Sequence, residues 1–315
     1  MSRALITGAA GFVGQHLSRY LVRQGLEVHR LSRRPRPPRL RNWHVADLSD
    51  LATLKALLRE VRPDYVFHLA ALLRGASLAE MLAVNVIGSE NLLTAIREVQ
   101  PQARVLVAGS AAEYGLVQAE DLPITENCPL RPLSPYGLSK VGQSLLAAQH
   151  WRRYGMSIVR TRTFNLTGPG EPARQVMGAF ARQIAEIEAG LRSPELQVGN
   201  LTPVRDFLDV RDAVRAYWWV VRNGQAGEVY NVCSGQGVQI KELLHTLLAL
   251  VETKVEIKQM TIRFTPWDVP IHVGSPARLD SLAGFEPTFS LQESIYALLE
   301  ECREKIGAEK AQTDR

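Results

Sequence analysis

Arg3-Ala4-Leu5-Ile6-Thr7-Gly8-Ala9-Ala10-Gly11-Phe12-Val13-Gly14 decides the fold. A short apolar run ends in a glycine-spaced turn, and a helical apolar period follows through Leu17, Leu21 and Val22. Strand, glycine turn and helix in that order form the opening unit of a dinucleotide-binding sheet. Glycines let the backbone approach a pyrophosphate, and a helix N-terminus offers unpaired N–H groups and a positive dipole end. The spacing is G-x-x-G-x-x-G, looser than G-x-G-x-x-G, and glycine turns also arise for packing. The flanking strand and helix favour the cofactor reading for Gly8, Gly11, Phe12, Val13 and Gly14.

The next elements extend that unit. Leu26 to Leu31 reads as a second strand, followed by Ser32-Arg33-Arg34. A site for NAD places an acid there to hold the ribose 2′-hydroxyl. Two cations and a hydroxyl suit a 2′-phosphate instead, so Ser32 and Arg33 favour NADP(H) over NAD(H). The alternative is that Arg33 and Arg34 only begin the basic loop that runs to Arg41. His44 to Leu48 is a third strand, with Asp47 and Leu48 as a wall for the adenine. Leu51 to Val61 is an amphipathic helix. Asp64 to Ala71 is a buried strand running into a small-residue turn, where Leu69, Ala70 and Ala71 face the cofactor. His68 in this strand reads as a packed residue rather than a base. Met81 to Val99 is a long helix carrying Asn85, a polar side chain placed to bind backbone at the sheet's edge.

Arg104 to Gly109 is a further strand that delivers Ser110 to its carboxyl end, where open α/β sheets bind ligands. Ser134-Pro135-Tyr136-Gly137-Leu138-Ser139-Lys140 then opens a helix, with Ser134 as N-cap and Pro135 as first helical residue. Tyr136 and Lys140 share a face at this spacing. A free tyrosine titrates near 10, and a fixed cation beside it lowers that value (about 10). The pair is a candidate acid/base for a carbonyl or alcohol. Y-x-x-x-K alone is a frequent coincidence. Ser110, 26 residues earlier, gives it weight.

Beyond the strand Ser157 to Phe164 the regular alternation ends. We expect an α/β fold: a Rossmann-type doubly wound parallel sheet with a smaller α/β C-terminal substrate lobe. Residues 1–165 would form the nucleotide-binding domain, with later strands around 203–235 returning to it. Residues 166–306 would form mainly the lobe, and 307–315 a charged, frayed tail. A capping box in Ser290 and Glu293 opens the last helix. The 315 residues are 46% hydrophobic and 22% charged, an ordinary globular profile. A net charge of +5 permits acidic small ligands and gives no case for nucleic acid. No apolar run is long enough for a membrane span. The N-terminus lacks the pattern of a signal peptide. Cys128, Cys233 and Cys302 are odd in number and far apart, which argues against disulfides or a metal site and suits the cytoplasm.

Together, Gly8-x-x-Gly11-x-x-Gly14, Ser110 and Tyr136-x-x-x-Lys140 resemble the extended short-chain dehydrogenase/reductase family, in its nucleotide-sugar branch. The likeness reaches to about residue 300. Val198-Gly199-Asn200-Leu201 with Arg205-Asp206-Phe207 resembles the GDP-mannose 4,6-dehydratase group. Thr161 to Asn165, Gly168-Pro169-Gly170 and Val229 to Gly235 look still more like the GDP-6-deoxy-D-lyxo-4-hexulose reductases, which make GDP-D-rhamnose. The resemblance implies an enzyme with Ser110, Tyr136 and Lys140 as catalytic residues, Tyr136 and Lys140 also meeting the cofactor. It implies substrate contacts at Asn165, Val176, Arg205, Asp268 and Arg278. Asn165 could instead cap its turn, Arg205 could pair with Asp206 or Asp209, and Arg278 could face solvent. By the same resemblance the chain is a homodimer through a four-helix bundle of Met81–Val99 and Pro135–Tyr154. Leu92, Leu93, Ile96, Leu145 and Leu146 fit that role or packing on the sheet.

Two departures matter. Dehydratases of this kind carry a glutamate where this chain has Ala112, whose methyl cannot move a proton. Glu113 would leave by the opposite face of an extended segment unless a turn re-aims it. Reduction of a 4-keto sugar nucleotide is therefore expected, with an epimerase as the alternative and dehydration less favoured. The related Arg-Pro-x-Glu-Val segment is here Thr265-Pro266-Trp267-Asp268-Val269, which leaves guanine, thymine and uracil open as the base.

Overall fold

The computed structural model describes residues 1–35, 41–73, 75–260, 269–282 and 284–313. The first half alternates strand and helix. Its strands are β1 (Arg3–Thr7), β2 (Glu27–Ser32), β3 (Trp43–Val45), β4 (Tyr65–His68), β5 (Arg104–Ser110) and β6 (Ile158–Thr163). Its helices are α1 (Phe12–Arg23), α2 (Leu51–Val61), α3 (Leu78–Leu82), α4 (Gly88–Val99) and α5 (Pro135–Tyr154). A π-helical turn, Ala83–Ile87, joins α3 to α4 into one rod.

Successive strand residues point to opposite faces, and the core follows that rule. Ile6, Phe67, Leu106 and Val159 pack against Leu17 and Leu21 of α1 on one face. Their neighbours Leu5, Val66, Val105 and Ile158 pack against Leu54 and Leu58 of α2, Leu92, Leu93 and Ile96 of α4, and Ala147 of α5 on the other. Both faces of the sheet are buried, as a parallel sheet requires.

The second half supplies β7 (Asn165–Thr167), α6 (Val176–Glu188), β8 (Glu195–Val198), β9 (Val204–Asp209), α7 (Val210–Asn223), β10 (Val229–Val232), β11 (Gly237–Gln239), α8 (Ile240–Leu248), β12 (Glu256–Gln259), β13 (Ile271–His272), α9 (Ala277–Asp280) and α10 (Leu291–Thr313). β10 returns to the main sheet beside β6, and α7 covers it next to α1. The seven parallel strands run in the order β10-β6-β5-β4-β1-β2-β3. The direction of winding reverses between β1 and β4, which opens a crevice at their carboxyl ends.

Of the segment expected to rejoin the sheet, only β10 does so. β9 instead centres a small mixed sheet, parallel to β7 and β13 and antiparallel to β11. Its buried Asp206 explains the difference. The carboxylate accepts the amides of Ser234 (2.8 Å), Gly235 (3.0 Å) and Gly274 (3.2 Å), which pins β9 to the loops around it. A core of Met177, Phe180, Ile184, Leu243, Leu247, Ile295 and Leu299 joins α6, α8 and α10. The capping box of α10 forms as read: Glu293 accepts the Ser290 amide at 2.7 Å, and Ser290 Oγ accepts the Glu293 amide at 3.2 Å.

Candidate active site

The site begins where β1 ends. Gly8 has φ 69°, and a Cβ there would lie 2.8 Å from the Ala70 nitrogen. A Cβ on Gly14 would lie 2.4 Å from the Gly8 carbonyl oxygen. The turn after β1 thus packs tightly against the Leu69-Ala70-Ala71 turn after β4, and only glycine permits it. No side chain caps α1 at Gly11, so its first-turn amides are open to an anion. Phe12 and Val13 open the helix that presents them.

Ser32 and Arg33 follow at the end of β2. Ser32 Oγ accepts the Arg34 amide at 3.0 Å. Arg33 lies 3.6 Å from Asp47 across an exposed rim. The Ser49 amide, and then Arg33, hold the Asp47 carboxyl below its usual range. Leu48 is buried against Gly88 of α4. Most of the basic loop, residues 36–40, lies outside the described residues.

Ser110 closes β5. The chain does not continue extended, as the sequence suggested it could. Ala111–Glu113 is a single 3-10 turn, in which Ser110 Oγ accepts the Ala112 amide at 3.2 Å. The turn carries Glu113 back beneath Ser110, where its carboxylate accepts the Ser110 amide at 2.9 Å and pairs with Arg162 at 2.9 Å. Ala112 abuts the start of α5, where a Cβ on Gly137 would lie 2.4 Å from its carbonyl oxygen.

α5 starts as read, with Ser134 Oγ accepting the Gly137 amide at 3.0 Å and Pro135 in the first turn. Tyr136 lies beside Ser110, whose hydroxyl favours the phenolate. Burial nevertheless pushes its phenol up to about 12. The charges acting on the phenol are those of Glu113 and Tyr217, and Lys140 is not among them. This corrects the expectation that Lys140 lowers Tyr136. The two residues do share a helix face, but the ammonium is drawn inward, donating to the Ala108 carbonyl at 2.5 Å and to Gln143 Oε1. Burial lowers Lys140 to about 8, with Glu113 opposing the fall.

The candidate substrate residues divide. Thr163 pairs in register with Ser110, and Asn165, two residues on, opens β7 with its side chain exposed. Its Nδ2 donates to the Asp206 carbonyl at 3.0 Å. Asn165 pairs with Phe207 of β9, two residues from Arg205. Arg205 donates to the Val204 carbonyl at 2.9 Å and reaches that of Pro270 at 3.4 Å. The acids offered as its partners are engaged elsewhere: Asp206 with the loop amides, and Asp209 with Arg211 (2.7 Å) and Ser294 (2.6 Å). Val176 heads α6, partly buried. Arg278 is partly buried and engaged within the protein. It binds Glu228 at 2.7 Å, Asn127 at 3.3 Å and Glu126 at 3.6 Å, tying α9 to β10. Asp268 lies outside the described residues.

A profile of the NAD dependent epimerase/dehydratase family matches residues 4–233. The chain belongs to that family. It is an NAD(P)-dependent enzyme of the extended short-chain dehydrogenase/reductase type, in the nucleotide-sugar branch. It is 34% identical over 311 residues to the GDP-6-deoxy-D-mannose reductase of Pseudomonas aeruginosa, covering 98% of this chain and 99% of that one. The structure of RMD from P. aeruginosa complexed with NADPH superposes with a TM-score of 0.84 at 33% identity, over 97% of this chain and 100% of the other. The Thermus thermophilus UDP-glucose 4-epimerase complex with NAD gives the same TM-score at 28% identity, over 96% and 99%.

In this family member the residues present fit the dinucleotide. The Gly8–Gly14 turn leaves no room for side chains where a pyrophosphate would lie, and the uncapped start of α1 faces the same crevice. Sequence reading missed what lies behind the crevice. Thr7 Oγ1 bonds His68 Nδ1 at 2.7 Å, and His68 Nε2 bonds Ser89 Oγ at 2.8 Å. Gln143 Nε2 donates to the same Ser89 Oγ at 2.8 Å and its oxygen holds Lys140. Ser89 commits its own proton to the Asn85 carbonyl at 2.6 Å, so His68 donates through Nε2 and accepts through Nδ1. Burial keeps His68 neutral, its pKa lowered to about 3. The packed reading of His68 is correct, and its packing is a polar chain from the cofactor turn to Lys140. The visible sign was Gln143 three residues after Lys140, one helical turn away.

Proposed function

We propose that this chain reduces the 4-keto group of a nucleotide-linked 4-keto-6-deoxy sugar with NADPH, as a GDP-6-deoxy-D-lyxo-4-hexulose reductase giving GDP-D-rhamnose. One observation carries the reading. The Ser110 hydroxyl and the Tyr136 phenol stand side by side at the crevice, while Ala112 has no acid and Glu113 is locked onto Arg162. Proton transfer to oxygen is provided for, and elimination across C5 and C6 is not. The likeness to the P. aeruginosa reductase, and to the NADPH complex of RMD from the same organism, supports both the substrate class and the cofactor. Ser32 and Arg33 on the rim suit a 2′-phosphate.

The bound nicotinamide would supply the hydride to C4. Tyr136 gives its proton to the C4 oxygen. A phenol held near 12 is protonated throughout neutral pH, the state a donor needs. Ser110 donates a hydrogen bond to the same oxygen and stabilises charge as it develops. Lys140 gives two ammonium protons to Ala108 and Gln143 and has a third for the cofactor's ribose. Asn165 and Arg205, on neighbouring strands, take the sugar and pyrophosphate. Cleft and catalytic residues belong to one chain, and we infer a cytoplasmic homodimer. Its three cysteines are free, in keeping with a reducing compartment.

The test is direct. Purified protein is mixed with NADPH and GDP-6-deoxy-D-lyxo-4-hexulose, and reduced-nicotinamide absorbance is followed. Loss of one cofactor per sugar is expected. Sugar inversion without net cofactor loss would make the chain an epimerase and overturn the proposal.

A further inference from the structure

We propose that Glu113 is a positioning residue for the Ser110–Tyr136–Lys140 cluster: its carboxylate, folded under Ser110 and clamped by Arg162, fixes the serine's backbone and supplies the negative charge that keeps Lys140 an ammonium. The inference rests on the reading of those three residues as the reacting set.

The clamp is closed on every side. Glu113 is fully buried. One carboxylate oxygen accepts the Ser110 amide and the other accepts Arg162 Nε, both at 2.9 Å. Arg162 goes on to the Tyr114 hydroxyl at 3.2 Å and the Glu126 carbonyl at 3.0 Å. Tyr114 donates to Asn231 Oδ1 at 2.6 Å, and the Asn231 amide donates to Glu126 at 2.8 Å. The strand makes room for the acid, since a Cβ on Gly109 would lie 2.3 Å from Glu113 Oε1. Glu113 therefore cannot swing out to a substrate, and its role is exerted through its neighbours.

A purely structural role does not call for a charge. Well-packed apolar side chains commonly replace a buried ion pair at no loss. Both Glu113 oxygens face donors, which suits the ionised carboxylate and leaves no acceptor for a carboxyl proton. Burial pushes Glu113 up, and Arg162, the Ser110 amide and Lys140 pull it back.

The groups facing Lys140 are few. Glu113 Oε1 lies against Gly109 and the Ser110 amide, next along β5 from the Ala108 carbonyl that Lys140 holds, Gln143 comes from Lys140's own helix, and His68, neutral, from β4. Tyr136 is faced by Ser110, Glu113 and, from α7, Tyr217. Arg162 on β6 faces Glu113 itself. Among these the Glu113 carboxylate is the one group that acts on both Lys140 and Tyr136, and it favours the proton-bearing form of each. Those are the forms a carbonyl reduction consumes.

The chain has seven lysines, so the side-chain carbon signal of Lys140 can be followed by NMR and assigned by its loss in Lys140→Met. In Glu113→Gln its titration midpoint should fall by about one pH unit while the other six stay put. Glu113→Asp, which keeps the charge, should restore it. The double variant Glu113→Leu/Arg162→Met leaves no lone buried charge, covers the case in which Glu113→Gln fails to fold, and should show the same fall. In turnover, Glu113→Gln should lose about tenfold or more in kcat with KM little changed, and its pH optimum should move to lower pH. An unmoved Lys140 midpoint in both the Gln and the double variant overturns the proposal, as does a loss confined to thermal stability. A wild-type protein that consumes no NADPH would sink the reductase reading alone, because the titration needs no substrate.

Discussion

At the scale of residues, Tyr136 and Lys140 do different work in this chain. The spacing places both on one helix face, yet their polar atoms diverge: the phenol meets Ser110, and the ammonium turns to Ala108 and Gln143. Tyr136→Phe should lower kcat by about 100- to 10,000-fold, the range of general acid catalysis, while NADPH binding measured by fluorescence titration stays near wild type. The pH profile has a definite sign. Lys140 is lowered to about 8, so its ammonium is half lost at that value and disappears as pH rises through it. Turnover at saturating substrate should fall on the alkaline side of about 8 and not on the neutral side, and Tyr136, near 12, adds no limb in between. A rate that keeps climbing to pH 10 (roughly the free tyrosine value) would contradict this assignment.

At the scale of elements, the joint between α3 and α4 supports the crevice. Asn85 sits in the π-helical turn, fully buried. Its oxygen accepts the Leu72 amide at 2.7 Å, and its nitrogen donates to the Leu72 carbonyl at 3.0 Å and to Ser139 Oγ at 2.9 Å. One side chain thus ties the turn after β4 to the helix that carries Tyr136 and Lys140. The sequence reading of a backbone-binding Asn85 is correct, and the link to α5 is new. Asn85→Ala leaves several buried polar groups unpaired and should cost about 2–4 kcal/mol in urea unfolding. A cost near zero would mean that water replaces the side chain and that the joint is not tight.

At the scale of the whole molecule, three of the apolar residues offered for a dimer take the alternative role of packing on the sheet. Leu92, Leu93 and Ile96 are wholly buried in this chain's own core and cannot meet a partner. Leu145 does point outward, at 60% exposure, and Leu138 shares its face two turns earlier. Leu78, Leu82 and Ile87 on the adjoining rod are also exposed. The inner face of α5 is small and polar, with Ser139, Lys140, Gln143, Ser144 and Ala147, so its larger apolar residues are left on the outside. Leu145→Arg should halve the mass found by light scattering, with the fold intact, because an exposed substitution costs a lone chain within about 0.5 kcal/mol. An unchanged mass would remove this face from the dimer.

How much of this was legible beforehand depends on range. Gly8, Gly11 and Gly14 between a strand and a helix were readable because a strand and the turn after it are local, and the order of elements limits the sheet. Ser134 and Pro135 marked the start of α5 because capping acts within one turn. The long-range partners were not readable. Nothing local distinguishes Arg278, bound to Glu228 fifty residues earlier, from a cation aimed at a nucleotide. Gln143, one turn after Lys140, was a local sign, but nothing local shows the Ala108 carbonyl, 32 residues earlier, that also draws the ammonium inward. Sequence alone determined the fold and the family, since those follow from residue type and spacing, and it supplied Ser110, Tyr136 and Lys140 as the candidates. Only tertiary structure decided where Glu113 points. A single 3-10 turn sends it to Arg162, 49 residues away, and burial makes that ion pair the only place its charge can rest.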